Sequence, residues 1–255
     1  MNVLVIGSNG QIGKQIVEKL ALEKGYFVRA MVRKAEQGDT LSKLGGKPVI
    51  ADLEKDFSYA YDEIDAVVFA AGSGGSGGPE KTTAVDEQGA IRAIETAKQK
   101  GVKRFVLIST IFAGEPDKGP DSLAHYLAAK GRADDALIES GLDYTIVRPV
   151  ALTNDEPTGK VGEVVNNAPT EKISRADVAA FVTEVLPVEK AYQKIYTIEN
   201  GSTKIEDFGI KKAPCFSAKA PMEWTKSTGF CPFFIWDFLP KSDRYWQQVL
   251  RHCSL

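Results

Sequence analysis

The amino-acid sequence predicts an α/β fold: a doubly wound parallel sheet followed by a small C-terminal part and an aromatic tail. Three observations carry that prediction. Short apolar runs alternate with longer amphipathic ones from the N-terminus to Arg148, the rhythm of a sheet whose successive strands are joined by helices. The strongest runs, residues 3–6 (VLVI), 65–71 (DAVVFAA) and 103–109 (KRFVLIS), show no polar alternation, as strands buried on both faces require. The first of them passes through a glycine-rich turn straight into an amphipathic segment.

In chain order, the first strand is followed by a helix over residues 11–24. Residues 26–32 (YFVRAMV) form the second strand and 47–51 (KPVIA) the third, with a helix over 34–44 between them. A short helix fits 57–64 ahead of the fourth strand, 65–71, which runs into GSGGSGG at 72–78. A helix over 81–100 ends at Gly101, a residue suited to the left-handed position past a helix C-terminus, and leads to the fifth strand at 103–109. A helix over 121–140, closed by Gly141, precedes the sixth strand, 143–148 (DYTIVR). Beyond Pro149 the pattern loosens. Residues 161–165 pair briefly, Ser174 caps a helix over 175–186, and 194–199 (KIYTIE) make a last strand. From about Gly209 the composition shifts, and residues 210–255 hold all three cysteines, all three tryptophans and a dense set of further aromatics.

The turn after the first strand, Gly7, Ser8, Asn9, Gly10, Gln11, Ile12 and Gly13, gives each glycine a task. Gly7 lets the chain leave the strand where a Cβ would obstruct it, Gly10 lets backbone approach a pyrophosphate, and Gly13 lets the new helix pack on the strand. The open amides of the helix's first turn and the positive end of its dipole face an anion. The turn therefore reads as a phosphate cradle, with the strand-before, helix-after context that a glycine triplet needs. Its GxxGxxG spacing resembles the turn of the extended and atypical short-chain dehydrogenase/reductases, Rossmann-fold proteins that bind NAD(P).

The second strand ends Met31-Val32-Arg33-Lys34. Dinucleotide folds commonly place an acid here for the ribose 2'-hydroxyl, and two cations in its place favour a 2'-phosphate. NADP(H) is the expected cofactor and NAD(H) the second choice, although an arginine at a strand end also snorkels on its own account. Asp52 and Leu53 close the third strand at the carboxyl edge, and the pair resembles the Asp-Leu or Asp-Val that lies beside adenine in this superfamily. An Asp at a strand end is also a common turn former. Ala70, Ala71 and Gly72 open a loop that lacks side chains, so they are expected to touch the cofactor, unlike the distal glycines.

Tyr126 and Lys130 stand four apart on the predicted 121–140 helix and so share a face. They follow Ser109, the last residue of the fifth strand, in the order found in short-chain dehydrogenase/reductases. An ammonium near a phenol lowers its pKa toward a useful range. By that resemblance Tyr126 exchanges the proton at a carbonyl or carbinol oxygen, and Lys130 tunes it and holds the nicotinamide ribose. Ser109, with Thr110, holds the substrate oxygen. The segments KRFVLIST, GLDYTIVRP with Arg148 and Pro149, and ISRADVA at 173–179 resemble the atypical branch, including NmrA-like, biliverdin-reductase-B-like and epimerase-dehydratase-like bacterial proteins. Pro149 is placed at the cofactor on the same ground, and ISRADVA belongs to the part that packs over the substrate side in relatives. The asparagine that completes the site in classical members has no clear match here; Asp86 stands nearest its position.

The resemblance spans residues 1–209, taken as the NAD(P)-binding domain, with 210–255 as an extension of unassigned role. It implies an NADP(H)-dependent oxidoreductase acting on a small carbonyl, quinone-like or flavin-like substrate. A non-catalytic NADP(H)-binding regulator and a nucleotide-sugar epimerase or dehydratase are the alternatives. About sixty residues lie between Pro149 and the tail, short for a nucleotide-sugar lobe. A net charge of -2 gives no electrostatic reason for a nucleic acid or an anionic membrane as partner. Cys215, Cys231 and Cys253 are odd in number and lack CxxC spacing, and His125 and His252 are the only histidines, so neither a disulfide framework nor a metal site is expected. Met1 leads into a core strand without a leader pattern, and no apolar run approaches a membrane span, so a cytoplasmic protein is expected. Beyond the small-molecule substrate, a homodimer contact or a partner bound by the tail is the remaining expectation.

Overall fold

The computed structural model describes residues 1–74 and 77–208. The expectations for the aromatic tail and its cysteines lie outside the described residues. The first six strands are β1 (Asn2–Ile6), β2 (Phe27–Val32), β3 (Lys47–Ile50), β4 (Ala66–Phe69), β5 (Arg104–Ile108) and β6 (Asp143–Pro149). They are followed by β7 (Leu152–Thr153), β8 (Lys160–Glu163), β9 (Ile173–Ser174) and β10 (Lys194–Lys204). Eight of them form one sheet in the order β3-β2-β1-β4-β5-β6-β10-β8, parallel throughout except for the antiparallel edge strand β8. The chain lays down β1 to β3 in one direction and then returns to place β4 beside β1. The resulting switch point opens a crevice at the carboxyl ends of these strands, where such sheets bind ligands.

Helices cover both faces: α1 (Gln11–Leu22), α2 (Gly38–Lys43), α3 (Gly78–Lys81), α4 (Gln88–Gln99), α5 (Ala124–Glu139) and α6 (Arg175–Val185). Strand β1 shows why it carries no polar residue inside. Val3 and Val5 pack into a core with Ile16, Val17 and Leu20 of α1 and Phe181 and Val182 of α6. Leu4 and Ile6 pack into another with Ile94 of α4 and Leu137 of α5. Each side chain therefore meets an apolar layer whichever way the pleat sends it.

The structure departs from the expected elements in places that matter. The segment expected as one helix over 81–100 instead begins at Gly78, passes through a π-helical turn at Thr82–Glu87 and continues as α4. That turn carries Asp86, whose Oδ2 accepts the Ser73 amide at 2.9 Å, so the irregularity ties the helix to the glycine-rich loop. The expected helix over 34–44 is a 3-10 turn followed by the short α2, and the one over 57–64 is a 3-10 turn at Ser58–Tyr61. The helix over 121–140 opens with a 3-10 turn, Asp121–Leu123, before α5 begins. Strand β10 runs on to Lys204 because β8 pairs antiparallel with it at the sheet edge, with a register shift between Glu199 and Thr203. The two-residue strands β7 and β9 are too short to leave a periodic signal.

Candidate active site

The cradle is built from backbone. Gly7 has φ +82°, and a Cβ there would lie 2.4 Å from the Ala71 amide nitrogen, so the turn after β1 rests directly on the loop after β4. A Cβ on Gly13 would lie 2.3 Å from the Gly7 carbonyl oxygen, which is how closely α1 starts against the turn. Gly10, at the N-cap of α1, is exposed and offers no side chain to cap the helix, so the first-turn amides stay open to an anion. Ser8 is turned inward: its buried hydroxyl donates to the Met31 carbonyl at 2.6 Å and pins the turn to the end of β2.

A cavity of about 400 Å³ brings Gly7, Asn9 and Gly10 together with Arg33, Asp52, Leu53, Ala70, Ala71 and Gly72. Those residues come from four separate strand ends. Ser8, Gln11, Ile12, Gly13 and Lys34, expected beside them, do not line it. Ser8 is tied to Met31, Ile12 packs on the core, Gly13 is covered by the turn, and Gln11 faces a different surface cleft. The Gln37 side chain accepts the backbone amides of Arg33 and Lys34 at 3.0 and 3.2 Å, which fixes this bend while leaving the Arg33 guanidinium exposed. Asp52 is also a turn former, since its Oδ1 accepts the Glu54 amide at 3.0 Å. Lys81 and Glu54 form an ion pair on the wall of the same cavity, a contact that spans strand ends and that sequence spacing does not reveal. A backbone-built anion cradle with the Arg33 guanidinium and the Asp52 carboxylate around one cavity fits a nicotinamide dinucleotide.

The residues expected to be reactive lie further along the carboxyl edge. Tyr126, Lys130 and Asp134 follow one another at intervals of four on α5. A Cβ on Gly131 would lie 2.4 Å from the Gly114 Cα, so the absence of one lets α5 press against the loop after β5. Tyr126 lines a cavity of about 1100 Å³ together with Ser109, Thr110 and Pro149. Pro149 thus stands on this side and not in the cavity of the glycine turn. Tyr126 also lines a cleft of about 400 Å³ together with Gly72, Ser73 and Gly74. The loop after β4 therefore borders both the cradle cavity and the tyrosine.

Lys130 is 2% exposed, and its ammonium donates to the Ile108 carbonyl at 2.8 Å. It lines none of these cavities. Where the family resemblance implies a ribose contact, the structure shows this ammonium turned to the Ile108 carbonyl. Burial lowers its pKa, opposed by the Asp86 and Asp134 carboxylates. Tyr126 likewise differs from expectation: burial, then the charges of Asp86 and Asp134, push its pKa above the ordinary phenol value. Tyr126 is thus a protonated hydrogen-bond donor at neutral pH and not a phenolate.

Ser109 and Asp134 form the polar centre of this end. The Ser109 hydroxyl donates to Asp134 Oδ2 at 2.9 Å, and Arg148 Nε donates to the same oxygen at 2.9 Å. Asp134 is fully buried, and its Oδ1 has no hydrogen-bond partner among the described residues. Burial raises its pKa, opposed by Lys130 and Arg148. Sequence reasoning missed Asp134. Its signal was a carboxylate one turn beyond Lys130 on a helix face otherwise made of Ala129, Ala133 and Leu137. The ISRADVA segment is explained by Asp177, whose carboxylate accepts the Thr158 and Gly159 amides at 2.9 and 2.8 Å and the Ser174 hydroxyl at 2.8 Å. Ser174 accepts the Asp177 amide in return at 3.0 Å, capping α6 as expected.

Residues 7–188 match the family model described as NAD(P)H-binding. A relative from Bacillus subtilis, called an uncharacterized sugar epimerase, YhfK, is 39% identical over 83% of this chain and all of its own length. Among solved structures, a Bacillus halodurans protein described as NAD-dependent epimerase/dehydratase is 45% identical with a TM-score of 0.78, covering 80% of this chain and 96% of that one. The oxidoreductase ylbE from Lactococcus lactis is 32% identical with a TM-score of 0.71, covering 81% and 94%. Among the described residues no helix is long and apolar enough to cross a membrane.

Proposed function

The chain belongs to the NAD(P)H-binding family of atypical short-chain dehydrogenase/reductase type, and from that premise we propose that it is an NADP(H)-dependent reductase of a small carbonyl, quinone-like or flavin-like acceptor. The observation that carries the reading is the loop Gly72–Gly74, which borders the cradle cavity on one side and the Tyr126 cleft on the other. A dinucleotide with its phosphates on the glycine turn and its 2'-phosphate at Arg33 would run along this loop toward Tyr126. When bound, the reduced nicotinamide supplies the hydride. Gly7, Gly10 and the α1 amides would hold the pyrophosphate, and the Arg33 guanidinium would pair with the 2'-phosphate. Tyr126, neutral and hydrogen-bearing, donates to the acceptor oxygen and delivers the proton that its reduction requires. Lys130 supports this from behind by bracing the end of β5 through the Ile108 carbonyl.

The names of two relatives raise a second reading, transient oxidation of a nucleotide sugar by a retained cofactor. The two differ in cofactor balance. Calorimetric titration with NADPH and NADH side by side, followed by an acceptor screen that monitors nicotinamide fluorescence, tests both. The reductase reading expects tight NADPH binding, weaker NADH binding and stoichiometric NADPH consumption with at least one quinone or flavin. Interconversion of a nucleotide sugar without net cofactor turnover would replace it. Binding without turnover of either kind would leave a regulator.

A further inference from the structure

We propose that Asp134 turns Ser109 into a hydrogen-bond acceptor toward the 1100 Å³ cavity, so that the cavity selects molecules carrying a donor beside the acceptor group that faces Tyr126. The proposal rests on the reading of that cavity as the substrate site. A serine hydroxyl has one proton. Here it is directed at Asp134 Oδ2, which leaves only lone pairs for the cavity that Ser109 lines. The direction of that bond follows from the charge on Asp134. Its Oδ2 already takes the Arg148 Nε–H, and a proton on the other oxygen would have no acceptor, because Oδ1 is buried without a partner among the described residues. Burial, the largest influence, raises the Asp134 pKa, but the Arg148 Nε paired with Oδ2 at 2.9 Å, with Lys130 one turn away on the same helix, holds it as the anionic partner of an ion pair. A carboxylate cannot donate, so the serine must.

Tyr126 has the opposite polarity. It keeps its proton and lines the same cavity. The two residues together offer one donor and one acceptor, which matches a carbonyl with a hydroxyl or N–H on the adjacent atom. A plain ketone would set its lone pairs against those of Ser109 and leave a buried group unmatched, the kind of mismatch on which polar sites discriminate most strongly. The role departs from the substrate-oxygen donor that the family resemblance implies for Ser109, and Asp134 acts through Ser109 as a positioning residue.

The test uses the full chain saturated with NADP+ and two matched probes, acetophenone and 2-hydroxyacetophenone, with binding read from the amide NMR shifts of Thr110 and Leu152, both on the cavity wall. The hydroxylated probe is expected to bind about tenfold more tightly to the wild type. Ser109→Ala should bring the ratio close to one. Asp134→Leu, of similar size, removes the oxygen that takes the serine proton, which frees that proton for the cavity, and should reverse the preference. The ratio of two probes is insensitive to a general loosening of the fold, which a merely structural role for Asp134 would produce. Equal affinities in the wild type, or a preference that survives Ser109→Ala, overturns the proposal. Should Asp134→Leu fail to fold, the Ser109→Ala ratio alone decides it. If neither probe shifts Thr110 or Leu152 while NADP+ still shifts Gly10, the substrate-cavity reading itself fails and the proposal falls with it.

Discussion

The two ends of the carboxyl edge are built on different principles. At the proposed cofactor end, geometry comes from backbone: Gly7 rests on Ala71, Gly13 on the Gly7 carbonyl, and the first-turn amides of α1 carry no side-chain cap. At the proposed substrate end, geometry comes from buried carboxylates that gather distant segments: Asp134 holds Ser109 and Arg148, Asp177 holds residues 158 and 159, and Glu199 holds 170 and 171. A diphosphate is common to all dinucleotides and suits a fixed backbone cradle. An acceptor molecule varies, and a set of side-chain clamps can be re-spaced one substitution at a time.

The contrast breaks most sharply at Gly7. Its φ of +82° and a Cβ position 2.4 Å from the Ala71 backbone leave no flexible atom to yield, so Gly7→Ala must move one strand end or the other. We expect a loss of about 3 kcal/mol in stability together with loss of the NADPH titration signal. Thermal melting alongside calorimetry checks both. A variant that melts normally and binds NADPH unchanged would show that the turn is not the cradle.

Next in size is Tyr126→Phe, which removes the donor hydroxyl from the cleft without altering the cradle. Turnover with the best acceptor should fall by about two to four orders of magnitude while NADPH affinity stays within about twofold. Unchanged turnover would mean that the acceptor needs no proton from Tyr126, as for a flavin reduced directly.

The same contrast governs what could be read from the chain alone. The cofactor end was legible because its parts are local: a strand, three glycines within seven residues and a helix, then Arg33 and Asp52 at the next two strand ends. The sheet was legible because Val3 to Ile6, or Phe105 to Leu107, are apolar on both faces. Even there, spacing alone could not show that Ser8 would face Met31. At the substrate end, Tyr126 and Lys130 were found by their interval of four, but their electrostatic relation was not, since it depends on Asp86 arriving from a π-helical turn and on the depth at which Lys130 is buried. Asp134, Asp177 and Glu199 act across 14 to 29 positions in sequence, and no local pattern encodes a partner at that distance.

A smaller effect sharpens the cofactor side. Gln37 takes the backbone amides at the bend after β2, so Arg33→Ala removes a guanidinium without loosening the loop. NADPH affinity should fall by about tenfold to a hundredfold, the worth of a charge-assisted pair, and NADH affinity should not change. Equal losses for both would place Arg33 on the common part of the dinucleotide and undo the preference for NADP(H).

The smallest expected effect belongs to the substrate side alone. Glu199 accepts the Thr170 and Glu171 amides at 2.7 and 2.9 Å through one oxygen and the Thr170 hydroxyl at 3.0 Å through the other. Glu199→Gln keeps the shape. Its amide oxygen can still take the two N–H groups, while its NH2 can donate to the Thr170 hydroxyl in place of accepting from it. Only the charge assistance is lost, worth about 1 kcal/mol. Thr170 and Glu171 line the large cavity with Ser109 and Tyr126, and none of these residues belongs to the cradle cavity. The acceptor KM should therefore rise about threefold to fivefold at unchanged kcat and unchanged NADPH affinity, measured by steady-state kinetics beside calorimetry. A matching change in NADPH affinity would show that the two ends are coupled through the sheet, and that the division between a backbone-built half and a clamp-built half does not extend to function.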